Sequence, residues 1–304
     1  MKKDTKIARF DSLSELNKVL GLPKPLHPLV NLANYADITT PFDEQPETFQ
    51  LNFYKISYKF NLSGKIGYGQ NSYDFAEGRM AFIAPNQILS RGSADQDVSG
   101  HTLLIHPDFI RNYPLGKKIK TFGFFSYSAN EALYISEKEK QTIFSVFENI
   151  KAELSNNIDD FSQDVLIAHF EVLLHYSNRF YKRQFITRKA VNHDLLTKME
   201  SLLDTHFEHE TSSQEGLPTV ELLADHLNVS PRYLSDMLRS LTGQNAQQHI
   251  HDKLIEKAKE YLSTTSWSVS EIAYRLGFEH SQSFSRLFKK KTKLTPIEFK
   301  NSLN

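Results

Sequence analysis

The C-terminal part of this 304-residue chain contains one apolar pattern twice. In each copy, apolar residues recur at the i, i+3, i+4 and i+7 spacing that places them on one face of a helix. The second copy follows the first by 49 positions, and the two sets are Val220, Leu223, Ala224 and Leu227, then Val269, Ile272, Ala273 and Leu276. A tight turn and a second amphipathic helix are expected after each copy. The sequence therefore predicts two short helix pairs of the same design.

Two short helices joined by a tight turn are typical of the helix-turn-helix, a motif that binds DNA. Ser230 and Pro231 fit the N-cap and the first position of the second helix in the first pair. The corresponding helix of the second pair is expected to begin near Ser281. Between the pairs, a helix predicted over about 246–262 would be about 24 Å long. That length suits two helices held in successive major grooves on one side of DNA.

Charge is distributed unevenly along the chain. The whole chain has 36 basic and 36 acidic residues, so its net charge is zero, but the segment 281–300 is strongly basic. A neutral protein with one basic region can still bind a polyanion there. The basic segment is therefore the expected place of phosphate contacts.

The N-terminal half has the pattern of short β-strands. Alternate residues from Tyr54 to Leu62 are apolar, which is the period of two of a half-buried strand. Further strands are predicted at 73–75, 79–84 and 101–105, and the turn residues between them favour a sandwich or a barrel.

The hydrophobic period becomes helical after about residue 135. Ser136 and Glu139 fit a capping box at the start of one helix, and another helix is predicted at about 160–185. The apolar stripes of these two helices fit either packing within the chain or a seam between two copies of it.

Composition excludes several classes of chemistry. The chain has no cysteine, which excludes disulfides, thiolate metal sites and cysteine nucleophiles. The basic start of the chain is not followed by an apolar run, and no stretch reaches the roughly 18 apolar residues of a membrane helix. We therefore expect a cytoplasmic protein.

Residues 217–300 resemble the DNA-binding domain of the AraC/XylS family of bacterial transcription regulators. The most specific match is Ile272-Ala273-x-x-Leu276-Gly277-Phe278, then Phe284-Ser285-Arg286-x-Phe288-Lys289-Lys290, then Thr295-Pro296-x-x-Phe299. Lys293 departs from the glycine that the family usually has at its position. If the backbone there is left-handed, lysine costs about 1 kcal/mol, although it would offer a phosphate contact instead.

The resemblance implies that the exposed face of the second helix in each pair reads DNA. The implied contact residues are Ser230, Arg232, Tyr233, Ser235 and Asp236 in the first copy, and His280, Gln282, Ser283 and Arg286 in the second. Arginine suits guanine and glutamine suits adenine in the major groove. Three lysines, Lys289, Lys290 and Lys291, are expected to position the protein on phosphates. The alternatives are an internal ion pair for Arg286 and a merely solvated face for the lysines.

The strand-rich part, at about 46–110, resembles the cupin-like effector domain of the same family. The match consists of Phe53-Tyr54-x-Ile56, the glycines near 64–69 and Phe82-Ile83-Ala84-Pro85-Asn86-Gln87. Related domains often have histidines where this chain has Phe49, Leu51 and Leu89, so we expect no metal, no other cofactor and no enzymatic activity. Four aromatic residues are candidates either for core packing or for an effector pocket, namely Tyr54, Tyr58, Phe60 and Phe82.

The resemblance implies an α+β chain in three parts. Residues 1–185 are expected to form a cupin-like β-barrel or sandwich with appended helices, which senses an effector and dimerises. A linker over 186–194 would lead to an all-α domain over 195–304, with two helix-turn-helix motifs joined by a long helix.

The expected function is sequence-specific regulation of transcription. The implied partners are double-stranded promoter or operator DNA, a second copy of the chain, a small organic effector and RNA polymerase. Two alternatives stay open. One is a metal-dependent cupin-type enzyme fused to a DNA-binding domain, and the other is a regulator controlled by a protein partner without a small ligand.

Overall fold

A computed structural model of the chain divides it into two units, Met1–Gln184 and Phe185–Asn304. The residues that the structure describes are 7–60, 78–90, 99–208 and 216–302. The predicted strand at 73–75 and the glycines near 64–69 lie outside the described residues.

The described residues of the first unit form two β-sheets. Its strands are β1 (Ala8–Phe10), β2 (Val30–Asn34), β3 (Thr48–Leu51), β4 (Tyr54–Phe60), β5 (Arg79–Ile83), β6 (Ile88–Ser90), β7 (Ser99–Ile105) and β8 (Leu133–Tyr134). Strand order is β1-β3-β6 in the smaller sheet and β2-β7-β4-β5-β8 in the larger one. The β1–β3 pair is parallel and the other pairs are antiparallel. The N-terminal half is thus rich in strands, as its period-two pattern predicts.

Helices accompany these sheets in the same unit. They are α1 (Leu13–Leu20), α2 (Pro107–Ile110), α3 (Pro114–Lys118), α4 (Glu137–Ser155) and α5 (Ser162–Thr187), the last of which continues into the second unit. The predicted capping box at the start of α4 is present, since Ser136 and Glu139 satisfy each other's backbone N–H groups. Its apolar stripe is largely internal, because Ile143, Phe147 and Ile150 are buried.

The expected linker at 186–194 is helical apart from one turn at Arg188. Helix α5 ends at Thr187 and α6 (Lys189–Glu208) begins two residues later. No proline or glycine in this segment opposes a helix. The side chain of Asn192 is buried and donates a hydrogen bond to the Phe185 carbonyl oxygen at 2.7 Å, which holds the turn. The connection is therefore a break between two helices rather than an extended segment.

The regular secondary structure of the second unit consists of helices throughout its described residues. After α6 it contains α7 (Val220–His226), α8 (Pro231–Thr242), α9 (Ala246–Thr264), α10 (Val269–Arg275), α11 (Ser281–Thr292) and α12 (Pro296–Asn301). Helix α9 contacts α6, α8, α10, α11 and α12. The buried residues of α9 include Ile250, Leu254, Ala258 and Leu262, so its apolar side forms the centre of this unit.

Candidate nucleic-acid interface

The two helix pairs, α7–α8 and α10–α11, have matching turns. Val229 donates from its backbone N–H to the Ala224 carbonyl oxygen at 3.0 Å, and Phe278 donates to Ala273 at the same distance. Both alanines are fully buried, as close crossing of two helices requires. The duplicated sequence therefore forms a duplicated turn.

Each turn also contains one residue with a left-handed backbone. Asn228 has φ of 55° in the first turn and Gly277 has φ of 89° in the second. Asparagine tolerates this conformation better than most residues, and glycine adopts it without strain. A Cβ on Gly277 would lie 2.6 Å from the carbonyl carbon of Gly216, so the second turn requires glycine for space as well.

Helix α8 begins as predicted from the sequence. Ser230 is its N-cap, with Oγ accepting a hydrogen bond from the Tyr233 N–H at 3.2 Å, and Pro231 takes the first position. The first backbone N–H groups of a helix carry positive partial charge, which suits a phosphate.

The exposed face of α8 carries linked charges. Arg232 Nε donates to Asp236 Oδ2 at 3.0 Å, and Arg239 lies 3.5 Å from the other oxygen of the same carboxylate. Ser235 is half-buried. Arg239 was not among the sequence candidates, although its i+7 spacing from Arg232 places both on one helix face. The first copy therefore presents two arginines that share one aspartate.

Tyr233 does not belong to this exposed face. Its side chain is only 6% exposed, and its ring packs edge-on against Phe185 with the ring centroids 5.2 Å apart. The family resemblance implied that Tyr233 reads bases together with Arg232, yet successive helix residues point about 100° apart, so the two side chains lie on different faces of α8. In the structure Tyr233 holds α8 against the segment that precedes α6.

The corresponding face of α11 is open. His280, Gln282, Ser283 and Arg286 are all exposed, while Phe284 and Phe288 are buried beneath them. Arg286 takes part in no ion pair with any residue that the structure describes, so the alternative of an internal ion pair finds no partner in that part of the chain. His280 is the N-cap residue, but its side chain makes no capping hydrogen bond.

The three lysines at the end of α11 differ from one another. All three are exposed, but Lys291 Nζ lies 2.6 Å from Asp252 Oδ1 of α9. Asp252 also accepts a hydrogen bond from Gln244 Nε2 at 2.9 Å. Sequence spacing gave no sign of this contact, because it joins residues 39 positions apart. Lys291 thus forms an ion pair within the second unit, whereas Lys289 and Lys290 form no ion pair with a described residue.

The ion pair changes the pKa values of Asp252 itself and of the neighbouring His251. Burial raises the pKa of Asp252, but the hydrogen bond and charge of Lys291, together with Gln244, outweigh it and hold the pKa below its usual value. Burial lowers the pKa of His251, and the charge of Lys291 lowers it further. Positive charge therefore lowers the pKa of Asp252 against the effect of burial, and it adds to the effect of burial at His251.

Lys293 follows α11 with the left-handed backbone considered above. Its φ is 69°, and it occupies the C-cap position that Gly243 occupies after α8 with φ of 81°. A non-glycine residue in this conformation costs about 1 kcal/mol. The backbone at Lys293 is therefore left-handed, which is the condition under which a cost of lysine was expected there.

The four aromatic candidates for an effector pocket are packed among other aromatic rings. Tyr54, Tyr58 and Phe82 are buried, and Phe60 is half-buried against Tyr58. The rings of Tyr54 and Phe82 contact Phe125, with centroids 5.1 and 5.7 Å apart. None of the four lines a cavity in this unit to which β4 contributes its opposite face.

Two absences hold for the residues that the structure describes. No group of three histidine, aspartate or glutamate side chains is placed to hold a metal ion among them. None of their helices is both long enough and apolar enough to cross a membrane.

The comparisons with known proteins agree with the geometry of the second unit. A family model described as a helix-turn-helix domain matches residues 223–302. The HTH-type transcriptional activator RhaS of Salmonella newport is 29% identical over 135 residues, which are 44% of this chain and 46% of that protein. The chain thus spans about half the length of the curated relatives it matches.

Two solved structures are also similar to part of the chain. The C-terminal domain of the two-component response regulator yesN from Fusobacterium nucleatum is 34% identical, covers 33% of this chain and 96% of that chain, and has a TM-score of 0.29. An AraC-type transcriptional regulator from Chromobacterium violaceum is 22% identical over 38% of this chain and 96% of that chain, with a TM-score of 0.32. The duplicated motif, the family model and the curated relatives together lead to one conclusion: residues 223–302 form a helix-turn-helix domain, and the chain is similar over 44% of its length to the HTH-type transcriptional activator RhaS.

Proposed function

We propose that this protein is a sequence-specific DNA-binding regulator of transcription, in which both helix pairs act as helix-turn-helix motifs. The observation that carries the proposal is the shared design of α8 and α11. Each follows the same tight turn, buries its apolar side and exposes polar and basic residues. Helix α9, about 28 Å long at 1.5 Å per residue, connects the two pairs and packs against α8 of the first pair and both helices of the second. Successive major grooves on one side of DNA lie about 34 Å apart.

The exposed residues divide into base readers and phosphate contacts. Arg286 and Gln282 are the principal base readers of the second motif, because arginine pairs with guanine and glutamine with adenine. Arg232 reads bases in the first motif once it exchanges Asp236 for the DNA. Ser235, Asp236, His280 and Ser283 border these contacts. The exposed Lys289 and Lys290 position the protein on phosphates, which carry no sequence information directly. Ser230 is only 8% exposed and contributes as the N-cap of α8, whose first backbone N–H groups suit a phosphate.

The first unit is proposed to be the cupin-like, effector-responsive and dimerising part of a cytoplasmic protein without enzymatic activity. Its two sheets support the cupin-like assignment, and its domain is assigned to about residues 1–185. Phe144 of α4 and Val172 of α5 are 45% and 41% exposed, which supports a homodimer contact on these helices. Contact with RNA polymerase is proposed from the family alone.

Selection of binding sites from a random DNA library tests this function. The full chain should enrich one motif with two informative segments whose centres are about 10 base pairs apart, one for each helix pair. A motif with only one informative segment would contradict the proposal that both helix pairs read bases. Loss of sequence enrichment would overturn the proposal.

A further inference from the structure

The first unit contains a cavity of about 530 Å³. Residues of both sheets and of α1 line it, including Phe10 of β1, Leu51 of β3 and Leu104 of β7. Binding sites for small organic molecules commonly have volumes of about 300–1,000 Å³. The cavity is therefore large enough for a ligand of that class.

Positive side chains stand on one wall of this mainly apolar cavity. Lys55, Lys59 and Arg79 line it, and its described lining contains no aspartate or glutamate. Lys55 Nζ lies 5.8 Å from the centre of the Phe49 ring, and Lys59 Nζ lies 5.3 Å from the centre of the Tyr35 ring. Both rings line the cavity too, so the two ammonium groups lie beside it rather than far out in solvent.

A second observation comes from hydroxyl groups on the same wall. Thr102 is only 7% exposed, and its buried Oγ1 forms no hydrogen bond with any residue that the structure describes. A buried hydroxyl without a partner destabilises the folded chain, because its lost hydrogen bond to water is not replaced. Because Thr102 lines the cavity beside Ser57 and Tyr35, a polar group of a ligand would satisfy it.

Tyr35 reports the positive potential of this wall. Its hydroxyl donates a hydrogen bond to Ser57 Oγ at 2.9 Å. Burial raises the pKa of Tyr35, but the charges of Lys55 and Lys59 and the Ser57 hydrogen bond outweigh it, so the pKa is lowered. Thr102 also lowers the pKa of Tyr35, although its Oγ1 does not have hydrogen-bond geometry with any described residue. Positive charge that lowers the pKa of a tyrosine stabilises negative charge, so the same wall suits other anions.

We propose that this cavity binds a small anionic molecule with an apolar body, whose anionic group contacts Lys55 and the Thr102 hydroxyl. The apolar body lies against Phe10, Leu51 and Leu104. The inference rests on the proposed function, because it assigns a chemical class to the effector. It also places the effector on the face of β4 opposite to Tyr54 and Tyr58.

Two dyes of one shape test the proposal on the full chain. The probes are 8-anilino-1-naphthalenesulfonate, which is an anion, and N-phenyl-1-naphthylamine, which has the same rings without the sulfonate. Fluorescence titration should give one site per chain and an affinity about tenfold higher for the anion, as a charge-assisted hydrogen bond provides. Lys55→Gln should remove most of this preference and leave the affinity of the neutral dye unchanged.

Two further variants keep the result interpretable. Ala81 lines the cavity, so Ala81→Leu should lower the affinity for both dyes because the larger side chain reduces the cavity volume. Lys120 is exposed and does not line the cavity, so Lys120→Gln should change neither affinity. Thermal melting by circular dichroism establishes that each variant is folded. Equal affinities of the two dyes for the unaltered protein, or an unchanged preference in folded Lys55→Gln, would overturn the proposal.

The DNA-binding measurement is separate from the dye titration. Absence of sequence enrichment in the DNA selection would overturn the proposed function while the dye preference persists. Loss of the dye preference with normal DNA selection would overturn only the assignment of an anionic ligand.

Discussion

Lys291 of α11 and Asp252 of α9 form an ion pair with a distance of 2.6 Å between Nζ and Oδ1. The same carboxylate accepts a hydrogen bond from Gln244, which follows α8. One aspartate on the connecting helix thus contacts the segments that end both helix pairs. This arrangement separates Lys291 from its two neighbours in the basic run.

Lys290→Ala should weaken the binding of all DNA sequences alike. Each phosphate contact releases about one counterion, so the slope of log affinity against log salt should become shallower by about 1. Lys291→Ala should change the slope less, because Asp252 already neutralises Lys291. Fluorescence anisotropy with specific and random DNA over a range of salt concentrations measures both slopes. Equal slope changes for the two variants would contradict the difference in roles.

Asp252 should stabilise the second unit only when it is ionised. Its folded-state pKa lies below the ordinary value of 3.8, so its contribution is present above that value and is lost as the pH falls through the folded-state pKa. Because its side chain is 43% exposed, Asp252→Asn should cost less than about 1 kcal/mol at pH 7. The difference from the unaltered protein should shrink as the pH approaches 3.

Urea unfolding at pH 7 and pH 3 measures this effect. Trp267 is the only tryptophan of the chain and lies in the second unit, so its fluorescence reports the unfolding of that unit. Asp194 is an exposed aspartate in an i,i+4 ion pair with Lys198, which makes Asp194→Asn a matched control. An Asp252→Asn effect that grew in acid would be inconsistent with the lowered pKa.

Lys293→Gly should stabilise the second unit by up to about 1 kcal/mol, since glycine adopts a left-handed backbone without the cost that a side chain brings. Gly243→Ala at the equivalent position should destabilise it by a similar amount. No heavy atom lies within 4 Å of a Cβ at Gly243, so the cost there is one of backbone conformation. Urea unfolding followed through Trp267 measures both. The same sign of change in the two variants would refute the equivalence of the two caps.

Thr102→Val should raise the melting temperature of the unliganded protein. It replaces a buried hydroxyl that has no described partner with a methyl group of similar shape, which removes a desolvation penalty of about 1–3 kcal/mol. The same change should lower the affinity of the protein for the anionic dye. Calorimetry and dye titration provide the two readouts, and Ser57→Ala serves as a contrast because its hydroxyl has a partner in Tyr35. A lower melting temperature for Thr102→Val would contradict the assignment.

Local features of the helices could be predicted from the sequence. The N-caps at Ser136 and Ser230 depend on contacts within three residues, and the structure has both. The repeat with an offset of 49 correctly indicated two turns of one kind. Such features are decided by neighbours along the chain, which a single sequence contains.

Features that depend on distant contacts were missed. The alternation of β4 indicates two faces, but it does not reveal what covers each one. The structure packs Tyr54 and Tyr58 against other aromatic rings and places Lys55 and Lys59 beside a cavity. Tyr233 is similarly buried by Phe185, a residue 48 positions earlier in the chain. In both places tertiary packing, rather than periodicity, decides which polar or aromatic residue remains accessible.

The affinity of Arg286→Ala for the selected DNA site tests the central claim most directly. Loss of one bidentate base contact should weaken specific binding by about 1–3 kcal/mol and relax the preference at one base position. Arg111→Ala, which removes the same charge from an exposed position in the first unit, should leave affinity and specificity unchanged. Specific affinity and base preference that were both unaltered in Arg286→Ala would contradict the proposal that α11 reads DNA.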